Sequence, residues 1–243
     1  QSIVSRKRFR QIYLKSVEDV MRFWTPHMQE EISCHNAGWR NADFEQYLKH
    51  SELRCWNAFD ILASRNEEID SWCDIGGFFG AYCLTLRRLG IATTMTETAQ
   101  YYSDSFLPLF AYLRQEGVEI IDHDPFVEGV WAGYSYSVVS AMAVIEHYPH
   151  SQKYILDFMS SIVAPSGSLY IEVPNIAYWP RRWALLNGRS PLPPVEEVYE
   201  SRVPFTGHHR EYTMQDLSHI TALAGLRIDE ARFYNYSFVG SWI

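Results

Sequence analysis

The stretch Asp74-Ile75-Gly76-Gly77-Phe78-Phe79-Gly80 decides the fold. It completes the short β-rich run Ser71-Trp72-Cys73-Asp74-Ile75, and its glycines make a tight turn directly after that run. Residues 80–89 then carry a helical pattern stopped by Gly90. A strand, a glycine turn and a helix open a βαβ unit. Towards the C-terminus the alternation repeats, with strands predicted over residues 91–96, 118–121 and 137–141 and a helix over 106–115. A helix over about 152–163 leads through Pro165-Ser166-Gly167 to a fifth strand, 168–173. After a helix over 214–224 and Gly225, Leu226-Arg227-Ile228 reads as the opening of a sixth strand. This alternation predicts an α/β fold with a parallel, doubly wound sheet, which binds ligands outside the carboxyl ends of its strands.

Towards the N-terminus, residues 1–66 read as helices. One begins near Asp43, and Leu48, Leu53, Trp56, Phe59 and Leu62 recur at spacings that make a buried helical stripe. Nothing in this segment looks chemical, and its expected role is to cap the domain formed by residues 67–243. The run Arg6-Lys7-Arg8-Phe9-Arg10 reads as a solvated helix face rather than the remnant of a targeting peptide. Residues 176–206 hold five prolines and several rings; a segment of this length and composition is expected to form a lid inserted after strand five.

The chain has 243 residues and a formal net charge of −8, which argues against a duplex nucleic-acid partner because a cationic face is needed to release counterions. Its 8 Trp, 16 Tyr and 13 Phe imply a ring-rich core or pocket. Cys34, Cys55, Cys73 and Cys83 show no zinc spacing and fit a reduced, cytoplasmic protein. No run reaches the length of a membrane span, and the oligomeric state is not legible.

The glycine turn departs from the dinucleotide fingerprint, because Phe78 stands where the second glycine belongs. That disfavours a nicotinamide-dependent reductase, since pyrophosphate requires close backbone approach. A ligand without phosphates needs only the turn and the helix N-terminal amides. Glu97 closes the second strand 17 residues past Gly80, where an acid can accept from both hydroxyls of a ribose. Asp122-His123-Asp124 closes the third strand, where an acid can accept from an adenine amine.

With these pieces in place, residues 70–230 resemble the class I S-adenosylmethionine-dependent methyltransferases, whose D-x-G-x-G-x-G is matched by Asp74–Gly80, followed by Glu97, Val144-Ile145-Glu146-His147, Ala164-Pro165-Ser166-Gly167-Ser168-Leu169 and Glu172-Val173-Pro174-Asn175. Gly207-His208-His209-Arg210-Glu211-Tyr212-Thr213 is similar to a segment of members associated with sugar and polysaccharide modification. The resemblance implies a Rossmann-like methyltransferase fold and S-adenosylmethionine as cofactor. It places Asp74, Gly76, Gly77 and Gly80 at the methionine part, Glu97 at the ribose, and His123 and Asp124 at the adenine, with Ala141 also lining the cofactor.

The implied reaction is O-methylation of a sugar, glycan or similar polar metabolite. It needs in-line placement and a base, for which His208 and His209 are expected ahead of His147. Tyr178, Trp179, Trp183 and Tyr199 are candidates for stacking on a sugar, and Arg181, Arg182, Arg189 and Arg210 for contacts to the acceptor or an anion on it. Glu146 and His147 with a later histidine also resemble the metal cluster of small-RNA 2′-O-methyltransferases. Ala143 stands where that motif has its first Glu, so catalysis is expected to be metal-independent. The remaining alternative is a catalytically dead binding module, with Phe78 blocking the cofactor.

Overall fold

A computed structural model of the chain describes residues 4–65, 69–98, 100, 102–123 and 133–235. Five parallel strands form one sheet: β1 (Ser71–Ile75), β2 (Ala92–Glu97), β3 (Val118–Asp122), β4 (Tyr136–Met142) and β5 (Val163–Glu172), in the order β3-β2-β1-β4-β5. The chain winds outward from β1 to β3 and then resumes at β4 on the other side of β1. This reversal opens a crevice at the carboxyl ends of β1 and β4.

Alternate side chains of each strand enter opposite layers, as the pleat requires. Trp72 and Val138 join a core with Phe9, Tyr13 and Val17 of α1 (Arg6–Met21) and with Leu84 and Leu86 of α5 (Ala81–Arg88). Cys73, Ile75, Val139 and Ala141 join a second core with Ile155 and Met159 of α7 (Gln152–Ile162). The central strands β1 and β4 are buried along most of their length, whereas the edge strands β3 and β5 are only partly covered. The helix α6 (Leu107–Gln115) connects β2 to β3 and adds Leu109 and Leu113 to the first core.

The N-terminal helices α1, α2 (Pro26–His35), α3 (Phe44–His50) and α4 (Glu52–Ala63) thus share their core with the sheet. The single helix predicted past Asp43 is two: Asp43 caps α3, and the chain turns at Ser51 before α4. The run Arg6-Lys7-Arg8-Phe9-Arg10 lies on α1, its cations exposed and Phe9 buried. Among the described residues no helix is long and apolar enough to cross a membrane.

Two further sequence expectations change. β5 begins at Val163, before the expected turn, and absorbs Pro165-Ser166-Gly167 as an irregularity in its pairing with β4. The expected sixth strand does not form among the described residues, and 226–235 run as irregular chain. The charges there find ionic partners instead of a ladder: Arg227 pairs with Asp229, Arg65 with Asp229, and Arg232 with Asp60 and Glu230.

Residues 176–206 contain α8 (Trp179–Leu186) and α9 (Val195–Glu200), neither of which buries a residue. The segment is tied to the N-terminal helices: the amides of Arg202 and Thr206 donate to the carbonyls of Cys34 and His35, and Arg40 pairs with Glu200 at 2.5 Å. It returns at α10 (Met214–Leu223), which Thr213 and Asp216 start with a reciprocal capping box.

Candidate active site

The turn after β1 is held in left-handed backbone by Gly76 (φ 65°) and Gly80 (φ 72°). Gly77 needs its missing side chain for space, since a Cβ there would lie 2.5 Å from Cγ of Met95 on β2. Phe78 is left-handed as well (φ 51°), a conformation that costs a non-glycine residue roughly 1–2 kcal/mol. Two contacts hold it there. Its ring meets Phe44 edge-on at 5.4 Å, and its amide donates to Oε1 of Glu97. Behind the turn, buried Asp74 accepts from the hydroxyl of Ser140 at 2.5 Å and from the thiol of Cys83 at 3.6 Å. Burial pushes its carboxyl up to about 6, against the pull of those two donors.

Glu97 closes β2 beside the turn, with its second oxygen accepting from the Tyr102 phenol at 2.6 Å. Burial raises its carboxyl to about 7 even though Tyr102 and the Phe78 amide stabilise the charge. An acid raised in this way favours the folded state in its protonated form. Its stabilising contribution is complete below its ordinary value near 4.5 and is lost as the pH climbs through about 7. Chemical denaturation of the ligand-free chain is therefore expected to show stability falling across that window, and Glu97→Gln is expected to flatten the fall. Parallel curves for the two proteins would contradict it.

The His123 amide donates to the Glu97 carbonyl at 2.8 Å, and its ring stacks on Phe158 with centroids 4.1 Å apart. Asp124 lies outside the described residues. Ala141 is fully buried in β4 opposite Ile75, behind the crevice wall.

Past β4 the chain makes a 3₁₀ turn, Ile145–His147, whose approach is fixed by the close packing of Val144 on Gly76. The turn places Glu146 and His147 beside His208, with one potential ligand atom from each lying within 4.8 Å of the others. Glu146 is fully buried, and neither carboxyl oxygen has a hydrogen-bond partner among the described residues. Burial pushes that carboxyl up to about 8, with Glu172 adding to the rise and Arg54 opposing it. Nδ1 of His147 bonds the Thr206 carbonyl at 2.8 Å, and Nδ1 of His208 bonds Oε1 of Glu211 at 2.9 Å. Burial lowers both imidazoles, His208 to about 4 with His147 and Arg181 adding to the fall. Two neutral rings and a carboxyl thus converge where an acceptor atom or a cation would be held.

His209 is not brought into this group. Its ring bonds the Phe205 carbonyl at 3.0 Å, while the amides of His209 and Arg210 donate to the Glu146 carbonyl. Arg210 lies over the Tyr212 ring and pairs with Asp216 at 3.5 Å. Arg182 donates to the Ala177 carbonyl at 2.5 Å, and the Tyr178 hydroxyl accepts from Asn235 at 3.0 Å. Trp179 and Trp183 lean on each other at 5.7 Å and are exposed, as are Tyr199 and Arg189. Arg181, in contrast, pairs with buried Glu211 beside His208.

Arg54 carries no motif, yet α4 buries it against Glu172 at 2.5 Å, within electrostatic reach of Glu146 and His147. Tyr102, which occupies Glu97, likewise gave no signal. Glu146 and Glu211 were visible as the acids flanking the histidines.

Residues 47–231 match a family profile described as a methyltransferase domain. No curated protein sequence matches the chain. Among solved structures it is similar to a putative methyltransferase, BH2331 from Bacillus halodurans C-125, at 14% identity and TM-score 0.51, over 72% of this chain and 70% of that one. It is similar to PigF with SAH at 18% identity and TM-score 0.51, over 77% and 56% of the two chains. The match to DesVI from Streptomyces venezuelae, at 17% identity and TM-score 0.40, covers 49% of each chain, so about half of that structure's length is spanned.

Proposed function

Because the chain belongs to the methyltransferase-domain family matched over residues 47–231, we propose that it transfers the methyl group of S-adenosylmethionine to a hydroxyl of a sugar, glycan or similar polar metabolite. One observation carries this reading. The glycine turn with Glu97 and the Glu146–His147–His208 group sit at the carboxyl ends of neighbouring strands and touch through Gly76 and Val144.

Glu97 would accept from the donor's ribose hydroxyls in place of the Tyr102 phenol, and the glycine turn would hold its methionine part. The sulfonium is already activated, so the protein's work is placement. The acceptor oxygen attacks the methyl carbon as the carbon–sulfur bond breaks and its electron pair returns to sulfur. The hydroxyl proton leaves on the side of the histidine group. The exposed rings of α8 suit the faces of a sugar.

Glu97→Ala is expected to weaken S-adenosylmethionine binding by about 1.5–3 kcal/mol, the worth of hydrogen bonds to a charged acceptor. Ribose favours the ionised carboxylate, so the wild type is expected to bind more tightly as pH rises toward 7, by at most about tenfold per unit for one released proton. Calorimetry across pH with wild type, Glu97→Ala and Glu97→Gln measures both effects. Equal affinity in all three would remove Glu97 from the site. Methyl-label transfer to a panel of hydroxylated sugars, nucleotide-linked sugars and matched amines tests the acceptor class. Labelling confined to the amines would overturn the hydroxyl reading.

A further inference from the structure

Ala143 offers no acid to complete a four-ligand cluster, but the geometry points to a site for a divalent first-row transition cation, zinc or its cobalt substitute, formed by Glu146, His147 and His208. Three independent features support it. One potential ligand atom from each residue lies within 4.8 Å of the others. Ligands bound to zinc at 2.0–2.1 Å sit roughly 3.3 Å apart in a tetrahedral shell, so side-chain adjustments of about 1 Å close the site.

The rings are also preset for coordination. Nδ1 of His147 bonds a backbone carbonyl, and Nδ1 of His208 bonds the Glu211 carboxylate. Each acceptor fixes the proton on Nδ1, so that Nε2 is the ring nitrogen with a lone pair to offer a metal, which is how metal-bound histidines are oriented from behind. Arg181 pairs with that Glu211 behind His208.

The third feature is Glu146, fully buried with both oxygens lacking hydrogen-bond partners among the described residues. A buried carboxyl with nothing to bond is costly, and a cation offsets the penalty. The nearest arginines are already engaged, Arg54 by Glu172 and Arg181 by Glu211. Two imidazoles and one carboxylate make a set suited to zinc-like ions rather than to magnesium, which prefers an all-oxygen shell. Three protein ligands leave a coordination position open, so a fourth acid at Ala143 is not required. The site itself does not rest on the hydroxyl reading above.

The test uses the metal alone. Chelator-treated protein is titrated with Co²⁺, followed by visible absorption, and with Zn²⁺ by calorimetry, with no donor or acceptor present. One equivalent is expected to bind. Glu146→Gln, His147→Ala and His208→Ala are each expected to weaken binding at least tenfold, and Glu211→Gln by about 10–100-fold through the ring it orients. His219→Ala, on the exposed face of α10, is expected to leave it unchanged. S-adenosylmethionine binding, measured on the same samples, reports that each variant is folded. Failure of the wild type to bind either ion overturns the site. So does undiminished affinity in the folded variants, which would mark adventitious surface histidines. Metal binding without cofactor binding would leave the site standing and defeat the donor reading, and the reverse would do the opposite.

Discussion

His208→Ala is expected to lower methyl transfer by about 10²–10⁴-fold while S-adenosylmethionine affinity stays within about threefold of wild type. His208 meets His147 edge to face at 4.7 Å, beside Glu146, and Glu211 holds it from behind. None of these contacts reaches Glu97 or the glycine turn, so the donor site is preserved while the acceptor side loses the group that holds the reacting oxygen or its proton. His147→Ala is expected to behave similarly, since the same group loses its other ring. His209→Ala removes a bond to the Phe205 carbonyl and is expected to act on stability more than on turnover. Steady-state kinetics with cofactor calorimetry on the three variants separates these outcomes. A large rate loss in His209→Ala alone would place the acceptor on the opposite side of the loop.

The sheet was legible because its information is local. Glycines at positive φ after β1, short β-rich runs alternating with helical patterns, and an acid ending β2 can all be read from a few residues each. The failures share a different cause. Leu226-Arg227-Ile228 has strand composition, but its neighbours find ionic partners on α4 and in the segment just after it, and no local pattern reports that. Ser51 breaks a periodic stripe that would otherwise run on as one helix.

The candidate site was half legible for the same reason. Glu146-His147 and His208-His209 are visible as motifs, but which ring turns inward depends on the carbonyls of Thr206 and Phe205, supplied by the returning loop. Phe78 reads as an obstruction at a glycine position. In the fold its ring leans on Phe44 of α3, and its amide serves Glu97. The first contact depends on a helix well upstream, whose sequence looks like plain cover, and the second on an acid 19 residues downstream.

Arg54 is the sharpest instance, and its removal is expected to be the most damaging single change to stability among those considered. It sits on α4 amid the apolar stripe, only 5% exposed, and its guanidinium reaches Oε2 of Glu172 at the end of β5 at 2.5 Å. That contact links the N-terminal helical layer to the strand bordering the histidine group. Arg54→Met preserves much of the stem's packing but strands a carboxylate whose side chain is 11% exposed. Breaking a buried pair in this way typically costs about 3–5 kcal/mol, because the remaining charge keeps its desolvation penalty and loses its partner. For a chain of this size that corresponds to a fall in melting temperature on the order of 10 °C. Adding Glu172→Gln to Arg54→Met is expected to restore most of the loss, since the stranded charge is gone, whereas a packing defect would persist in the double variant. Denaturant melts of the two single variants and the double variant give the coupling directly. A loss below about 1 kcal/mol in Arg54→Met would show that Glu172 finds water or another donor, and that the pair does not hold the helical layer to the sheet.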